Sequence, residues 1–119
     1  MSSPKRVLVV EDEMLVSMLV EDLVEELGHE VAASAAHLDE ALRLAGSADI
    51  DLAILDLNLG GQRSIAVADV LADRRIPFMF ASGYGAAGLP PQHRDAVVVQ
   101  KPFAAEDLSA ALDRLLPKV

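Results

Sequence analysis

A chain of 119 residues, 52% hydrophobic but only 3% aromatic, suits one globular domain with an aliphatic core and excludes intrinsic disorder. Its formal net charge of −9, with ten scattered Lys and Arg, would repel a phosphate backbone, so no nucleic-acid partner is expected. The absence of cysteine removes disulfide and thiolate chemistry and suits a reducing, cytoplasmic setting. No stretch approaches the roughly 20 apolar residues of a membrane span, and the apolar run after Lys5-Arg6 ends in Glu11, Asp12 and Glu13 instead of continuing as a signal peptide, so no membrane insertion is expected.

Short β-rich runs alternate with helical stretches along the chain. Arg6–Val10 (RVLVV) is a continuous β-branched run and predicts a buried strand. From Met14 to Leu27 apolar residues recur at helical spacing, with Leu15, Leu19, Leu23 and Leu27 flanked by Val16, Val20 and Val24, and Gly28 follows as the stop. Residues 30–34 (EVAAS) predict a weak second strand, and Leu38, Ala41, Leu42 and Ala45 a short helix ending near Gly46. Residues 51–55 (DLAIL) are the third strand, and Gly60-Gly61 punctuate a loop. Ile65 to Leu71 opens a third helix with Ala68, Val70 and Leu71 facing inward. Residues 77–81 (PFMFA) and 96–99 (AVVV) are the fourth and fifth strands, and Leu108, Ala111, Leu112 and Leu115 mark a last amphipathic helix. Strands separated by helices imply βαβ units and a parallel sheet. Between the last two strands, Gly83, Gly85, Gly88 and Pro90-Pro91 oppose a full helix, so a loop with at most one or two turns is expected there.

Ligands bind at the carboxyl ends of the strands in such sheets. Here the first strand runs into Glu11-Asp12, the third into Asp56, the fourth into Ser82 and the fifth into Lys101. The second strand delivers only Ala and Ser, which places it off to the side. Three carboxylates and one ammonium brought together sum to about −2, a balance that recruits a cation. Oxygen donors without His or Cys suit Mg²⁺ or Mn²⁺. A hydroxyl, a lysine and a divalent ion beside a carboxylate nucleophile suit an anionic phosphoryl group.

At this point VLVVEDE, ILDLNLGG, FASGYG and QKPF stand in the order and spacing of response-regulator receiver domains, and the chain resembles that family over essentially its whole length, residues 1–119. The resemblance implies an α/β, flavodoxin-like, doubly wound five-stranded parallel sheet of order 2-1-3-4-5. It implies that Asp56 accepts a phosphoryl group from a sensor histidine kinase or a histidine phosphotransfer protein. Asp12 and Asp56 would ligate the metal directly, Glu11 through water, and Asn58 by its backbone carbonyl. Ser82 would be the switch hydroxyl and Lys101 the partner of the phosphoryl group, with Lys101-Pro102 cis. Asn58 and Tyr84 stand where the family tunes dephosphorylation. The catalysis implied is limited to metal-assisted self-phosphorylation and autodephosphorylation. No output domain fits in 119 residues, so the readout expected is contact with a downstream protein partner.

Two departures define the kind of receiver. Val98 stands where many members carry Tyr or Phe, and the fourth helix reads as short or missing. Both resemble a stand-alone subgroup, common in alphaproteobacteria, whose fourth strand ends Phe-Ala-Thr/Ser-Gly-Tyr; here the stretch is Phe80-Ala81-Ser82-Gly83-Tyr84. The Tyr84–Arg94 loop is therefore expected to order or shift on phosphorylation.

Other readings are weaker. Gly83, Gly85 and Gly88 spell GxGxxG, but Pro90-Pro91 spoil the helix a dinucleotide site needs. His29, His37 and His93 are dispersed, with His29 and His37 read as solvated helix-flank residues. A haloacid-dehalogenase-like phosphatase would want its Asp-x-Asp motif on an early strand and a cap, whereas Asp56-Leu57-Asn58 follows the third strand. A pseudo-receiver that binds partners without phosphorylation is opposed by the intact acid, Ser and Lys positions.

Overall fold

The computed structural model describes residues 4–83 and 88–116. Its elements in chain order are β1 (Arg6–Val10), α1 (Met14–Glu26), β2 (Glu30–Ala35), α2 (Leu38–Ser47), β3 (Leu52–Asp56), β4 (Asn58–Leu59), β5 (Gln62–Arg63), α3 (Ile65–Asp73), β6 (Phe78–Ser82), β7 (Val97–Gln100) and α4 (Ala105–Leu115). Five strands form a parallel sheet in the order β2-β1-β3-β6-β7, which is 2-1-3-4-5 when only those five are counted. This is the flavodoxin-like receiver fold, with the second strand at the edge as expected. β4 and β5 are a separate antiparallel hairpin, pairing Asn58 with Arg63 and Leu59 with Gln62.

The period-2 alternation of a strand explains the two cores. Leu8 and Val10 of β1 face one side with Ala53, Leu55 and Phe80, under α2 and α3. Val7 and Val9 face the other with Leu52, Ile54 and Met79, under α1 and α4. β1 and β3 are buried on both faces, which is why their sequences are unbroken apolar runs.

Several boundaries differ from the sequence reading. The third, fourth and fifth strands each begin and end one residue later, because pairings such as Asp56 with Ala81 and Ser82 with Gln100 extend the ladder beyond the apolar run. Asp51 lies outside the strand and its carboxylate accepts the Arg6 N–H at 2.8 Å. β2 extends by one residue to Ala35, and α2 runs through Gly46 to Ser47. In α3 the fully buried residues are Val67, Ala68 and Leu71, while Val70 is half-buried.

Helix α1 forms where its spacing predicts, and the structure decides which of its two apolar stripes faces the core. Its valines, Val20 and Val24, are buried, whereas Leu15 is 81% exposed and Leu19 52% exposed. Gly28 ends this helix region as anticipated. Its φ of +90° is strained for a side-chain-bearing residue, and the N–H groups of Gly28 and His29 return to the carbonyls of Glu25 and Val24. Among the described residues between β6 and β7, the fourth helix of the family is reduced to a 3₁₀ turn at Pro91–His93. Tyr84 and Gly85 lie outside the described residues.

Candidate functional site

Parallel strands present all their carboxyl ends on one edge, so the fold brings the sequence-predicted residues together. Glu11 and Asp12 follow β1, Asp56 is the last residue of β3, Ser82 the last of β6, and Lys101 follows β7. Ligand oxygens of Glu11, Asp12 and Asp56 lie within 4.8 Å of one another. Lys101 Nζ donates to Glu11 Oε1 at 2.7 Å and to Asp56 Oδ2 at 3.2 Å. The Lys101 N–H donates to the Ser82 carbonyl at 2.8 Å, so the main chain itself joins the hydroxyl-bearing residue to the lysine. The Lys101-Pro102 peptide is cis.

Each acid is held by the backbone. The Asn58 N–H donates to Asp56 Oδ1 at 3.2 Å, the Glu13 N–H to Glu11 Oε2 at 3.2 Å, and the Gly60 N–H to Asp12 Oδ2 at 2.9 Å. The last bond ties the β4–β5 hairpin to Asp12; Gly60 takes a φ of +54° there, which glycine tolerates. Glu11, Asp56 and Ser82 are buried, while Asp12 and Asn58 are exposed. The acidic end of the site therefore opens to solvent through Asp12.

Burial first, and the neighbouring charges after it, shift the ionisation of these groups. Burial pushes the Glu11 carboxyl up to about 7; the Lys101 hydrogen bond opposes this, and the neighbouring Asp56 adds to it. Burial alone would lower Lys101, but its hydrogen bond to Glu11 and the charges of Asp56 and Glu11 outweigh that and raise it above 10.5. Three hard carboxylates around one solvent-accessible point are a donor set that fits Mg²⁺ or Mn²⁺.

These shifts predict a pH dependence. The folded chain holds the Glu11 proton to higher pH than the unfolded chain does, so this group's contribution to stability falls as pH rises from about 4.5 to about 7. Lys101 acts in the same direction at higher pH, contributing below 10.5 and losing its contribution as pH rises through its raised value. Thermal midpoints in EDTA at about pH 5 and about pH 7.5, for wild type and Glu11→Gln, isolate the first effect. The difference, wild type minus variant, is expected to fall with pH. A difference that is flat or rises contradicts the assignment.

The sequence reading missed two polar contacts. Ser64 is fully buried and donates its hydroxyl to the Asp56 carbonyl at 2.7 Å. His93 bonds Asp69 Oδ1 at 2.7 Å and meets the rings of Phe78 and Phe80 edge-on, at centroid distances of 5.3 and 6.1 Å. A local signal for Ser64 exists in its position at a helix start; His93 has none, since Asp69 lies on α3. His37 is exposed as expected, whereas His29 is half-buried and its Nδ1 accepts the Lys5 N–H at 3.0 Å.

A doubly wound parallel sheet whose strand ends gather three carboxylates and a lysine defines the receiver class of signalling domain. Residues 7–113 match the response regulator receiver domain, and the chain belongs to that family. It is 32% identical over 114 residues to the transcriptional regulatory protein PdtaR of Mycobacterium tuberculosis, covering 92% of this chain and 56% of that protein. It is also 32% identical to the phyllosphere-induced regulator PhyR of Methylorubrum extorquens, over 92% of this chain and 43% of that protein. The chain thus spans about half the length of the curated relatives it matches. The solution structure of SdrG from Sphingomonas melonis Fr1 superposes with a TM-score of 0.86 at 41% identity, covering 98% of this chain and 100% of SdrG.

Proposed function

We propose that this receiver is a phosphoryl-accepting switch of a two-component phosphorelay, with Asp56 as the acceptor. The observation that carries the reading is Lys101 Nζ bridging Glu11 and Asp56 at 2.7 and 3.2 Å, beside a cluster of three carboxylates. An ammonium in that place pairs with a phosphoryl oxygen once Asp56 is esterified, and Glu11 keeps it aimed.

A carboxylate oxygen of Asp56 attacks phosphorus, the P–N bond of the donor phosphohistidine breaks, and its electron pair returns to the imidazole. Lys101 neutralises charge on the phosphoryl oxygens, and the Asn58 N–H keeps the Asp56 carboxylate oriented. The Ser82 hydroxyl donates to a phosphoryl oxygen and carries the change into β6. Asp12, Asp56 and the Asn58 carbonyl, with Glu11 through water, would hold Mg²⁺ or Mn²⁺, which when bound offsets the negative charge of the acceptor and the phosphoryl group. Asn58 and Tyr84 tune the lifetime of the product. The chain turns over no external substrate and acts in the cytoplasm.

The donor is a sensor histidine kinase or a histidine phosphotransfer protein. It docks on the start of α1, where Met14, Leu15, Met18 and Leu19 are all more than half exposed directly after the acidic cluster. A downstream protein partner reads the changed surface. No helix among the described residues is long and apolar enough to cross a membrane.

Incubation with acetyl phosphate and Mg²⁺, read by intact mass, is expected to add one phosphoryl group to wild type and none to Asp56→Asn. Absence of labelling with every donor tried would overturn the proposal. Sustained turnover of a chromogenic phosphomonoester would instead favour a phosphatase.

A further inference from the structure

We infer that Ser64 is a positioning residue for the phosphoacceptor and for the divalent-cation site, an inference that rests on the function proposed above. Ser64 occupies the position before the first residue of α3, where a serine ordinarily turns its oxygen back to accept an N–H of its own helix. Its side chain makes no such cap. The hydroxyl instead donates to the Asp56 carbonyl at 2.7 Å and lies 3.4 Å from the Leu57 carbonyl. The Ser64 N–H donates to the Leu57 carbonyl at 2.9 Å, and the Ser64 carbonyl accepts from Val67 and Ala68 in the first turn of α3.

The residue therefore joins the helix to the main chain at the point where β3 ends. The pairing of β3 with β1 ends at Leu55, and with Ser64 fully buried, water is no substitute for its hydroxyl at the Asp56 carbonyl. Two consecutive carbonyls, of Asp56 and Leu57, are thereby fixed in direction. The peptide that carries the Leu57 carbonyl also supplies the Asn58 N–H that orients the Asp56 carboxylate. Asn58 also carries the carbonyl placed among the metal ligands above. The hairpin from Asn58 to Arg63 is held at its neck by Ser64 and near its tip by the Gly60–Asp12 bond. Loss of a group that holds a metal ligand in place typically costs about 10–100-fold in metal affinity, and acceptor geometry depends on such support.

The test uses Ser64→Ala and Ser64→Cys, the latter keeping the shape with a far weaker donor. Mg²⁺ affinity by calorimetry is expected to fall about tenfold in Ser64→Ala, within the range seen for such supporting bonds, and by less in Ser64→Cys. Labelling by acetyl phosphate at saturating Mg²⁺ is expected to slow by a similar factor. Amide exchange at Asn58 should quicken in both. Val67→Ala, a fully buried change in the same first turn, serves as the purely structural control: it destabilises α3 but leaves Mg²⁺ affinity unchanged. If Ser64→Ala does not fold, Ser64→Cys decides the question. Wild-type Mg²⁺ affinity and labelling rate in the serine variants would overturn the inference, as would an equal loss of affinity in Val67→Ala. Failure of wild type to be labelled would count against the proposed function instead, and the Mg²⁺ comparison would still judge Ser64.

Discussion

Lys101→Met is expected to bind Mg²⁺ more tightly than wild type while accepting a phosphoryl group about a hundredfold more slowly, a loss of about 2.7 kcal/mol in the transition state. The two effects have opposite signs because the ammonium has opposite roles before and during the reaction. Before it, Nζ lies 2.7 Å from Glu11 and 3.2 Å from Asp56 and offsets charge that would otherwise attract a cation. Its removal takes the local sum from about −2 to about −3, so a divalent ion gains and the apo protein loses its best internal counter-charge. During the reaction the same ammonium faces developing charge on phosphoryl oxygens, a task that methionine, similar in length but uncharged, does not perform. Calorimetric Mg²⁺ titration and timed intact-mass labelling measure the two effects separately. Weaker Mg²⁺ binding would mean that Lys101 supports the ligands instead of competing with the cation, and unimpaired labelling would remove it from the chemistry.

The site was far more legible in the sequence than the packing around it. Glu11, Asp56, Ser82 and Lys101 are recognisable because a parallel sheet places every carboxyl strand end on one edge, whatever the details of the helices. α1 shows the limit. Leucines at four-residue spacing and valines at the same spacing mark two adjacent stripes on one helix, and periodicity alone does not choose between them. The helix buries Val20 and Val24 against the face formed by Val7, Val9 and Ile54, and leaves Leu15 and Leu19 outside. That outcome depends on the angle at which the helix lies on the sheet, a tertiary quantity.

Polar contacts were missed for a related reason. Ser64 follows a glycine-rich loop, and a serine there reads as an ordinary turn or cap until its buried hydroxyl is seen to reach back eight residues to Asp56. His93 is paired with Asp69, 24 residues away, and the pair exists only because the turn after β6 lies beside α3. The β4–β5 hairpin has two residues per strand, too few for an alternating pattern to register. The strand ends moved by one residue because ladder pairing, not hydrophobicity, carries Asp56 and Ser82 into the sheet.

Phe80→Ala is expected to cost roughly 3–5 kcal/mol, a large share of the about 5–15 kcal/mol that stabilises a domain of this kind. In a chain with three Phe and no Trp, Phe80 is the largest of the fully buried side chains among the described residues. It lies against the α2–α3 face of the sheet with Leu8, Leu55 and Leu71 and meets Phe78 edge-on at 5.5 Å. Phe78 is only half-buried, so Phe78→Ala should cost clearly less. Urea unfolding of the two variants checks the order, and equal costs would mean that the cavity at Phe80 collapses. The consequence for signalling follows from position. Phe80 stands two residues before Ser82, on the same side of the strand, and its ring also touches His93, which Asp69 holds against α3. Among the described residues, this ring cluster is an aromatic contact between β6 and the segment that follows it. Phe80→Leu, a milder loss of about 1.5 kcal/mol, should leave the domain folded while loosening His93. Faster amide exchange across residues 92–94 in Phe80→Leu, with labelling of Asp56 unchanged, would separate transmission of the signal from its acceptance. Protection equal to wild type would mean that the His93–Asp69 bond holds that segment without help from Phe80.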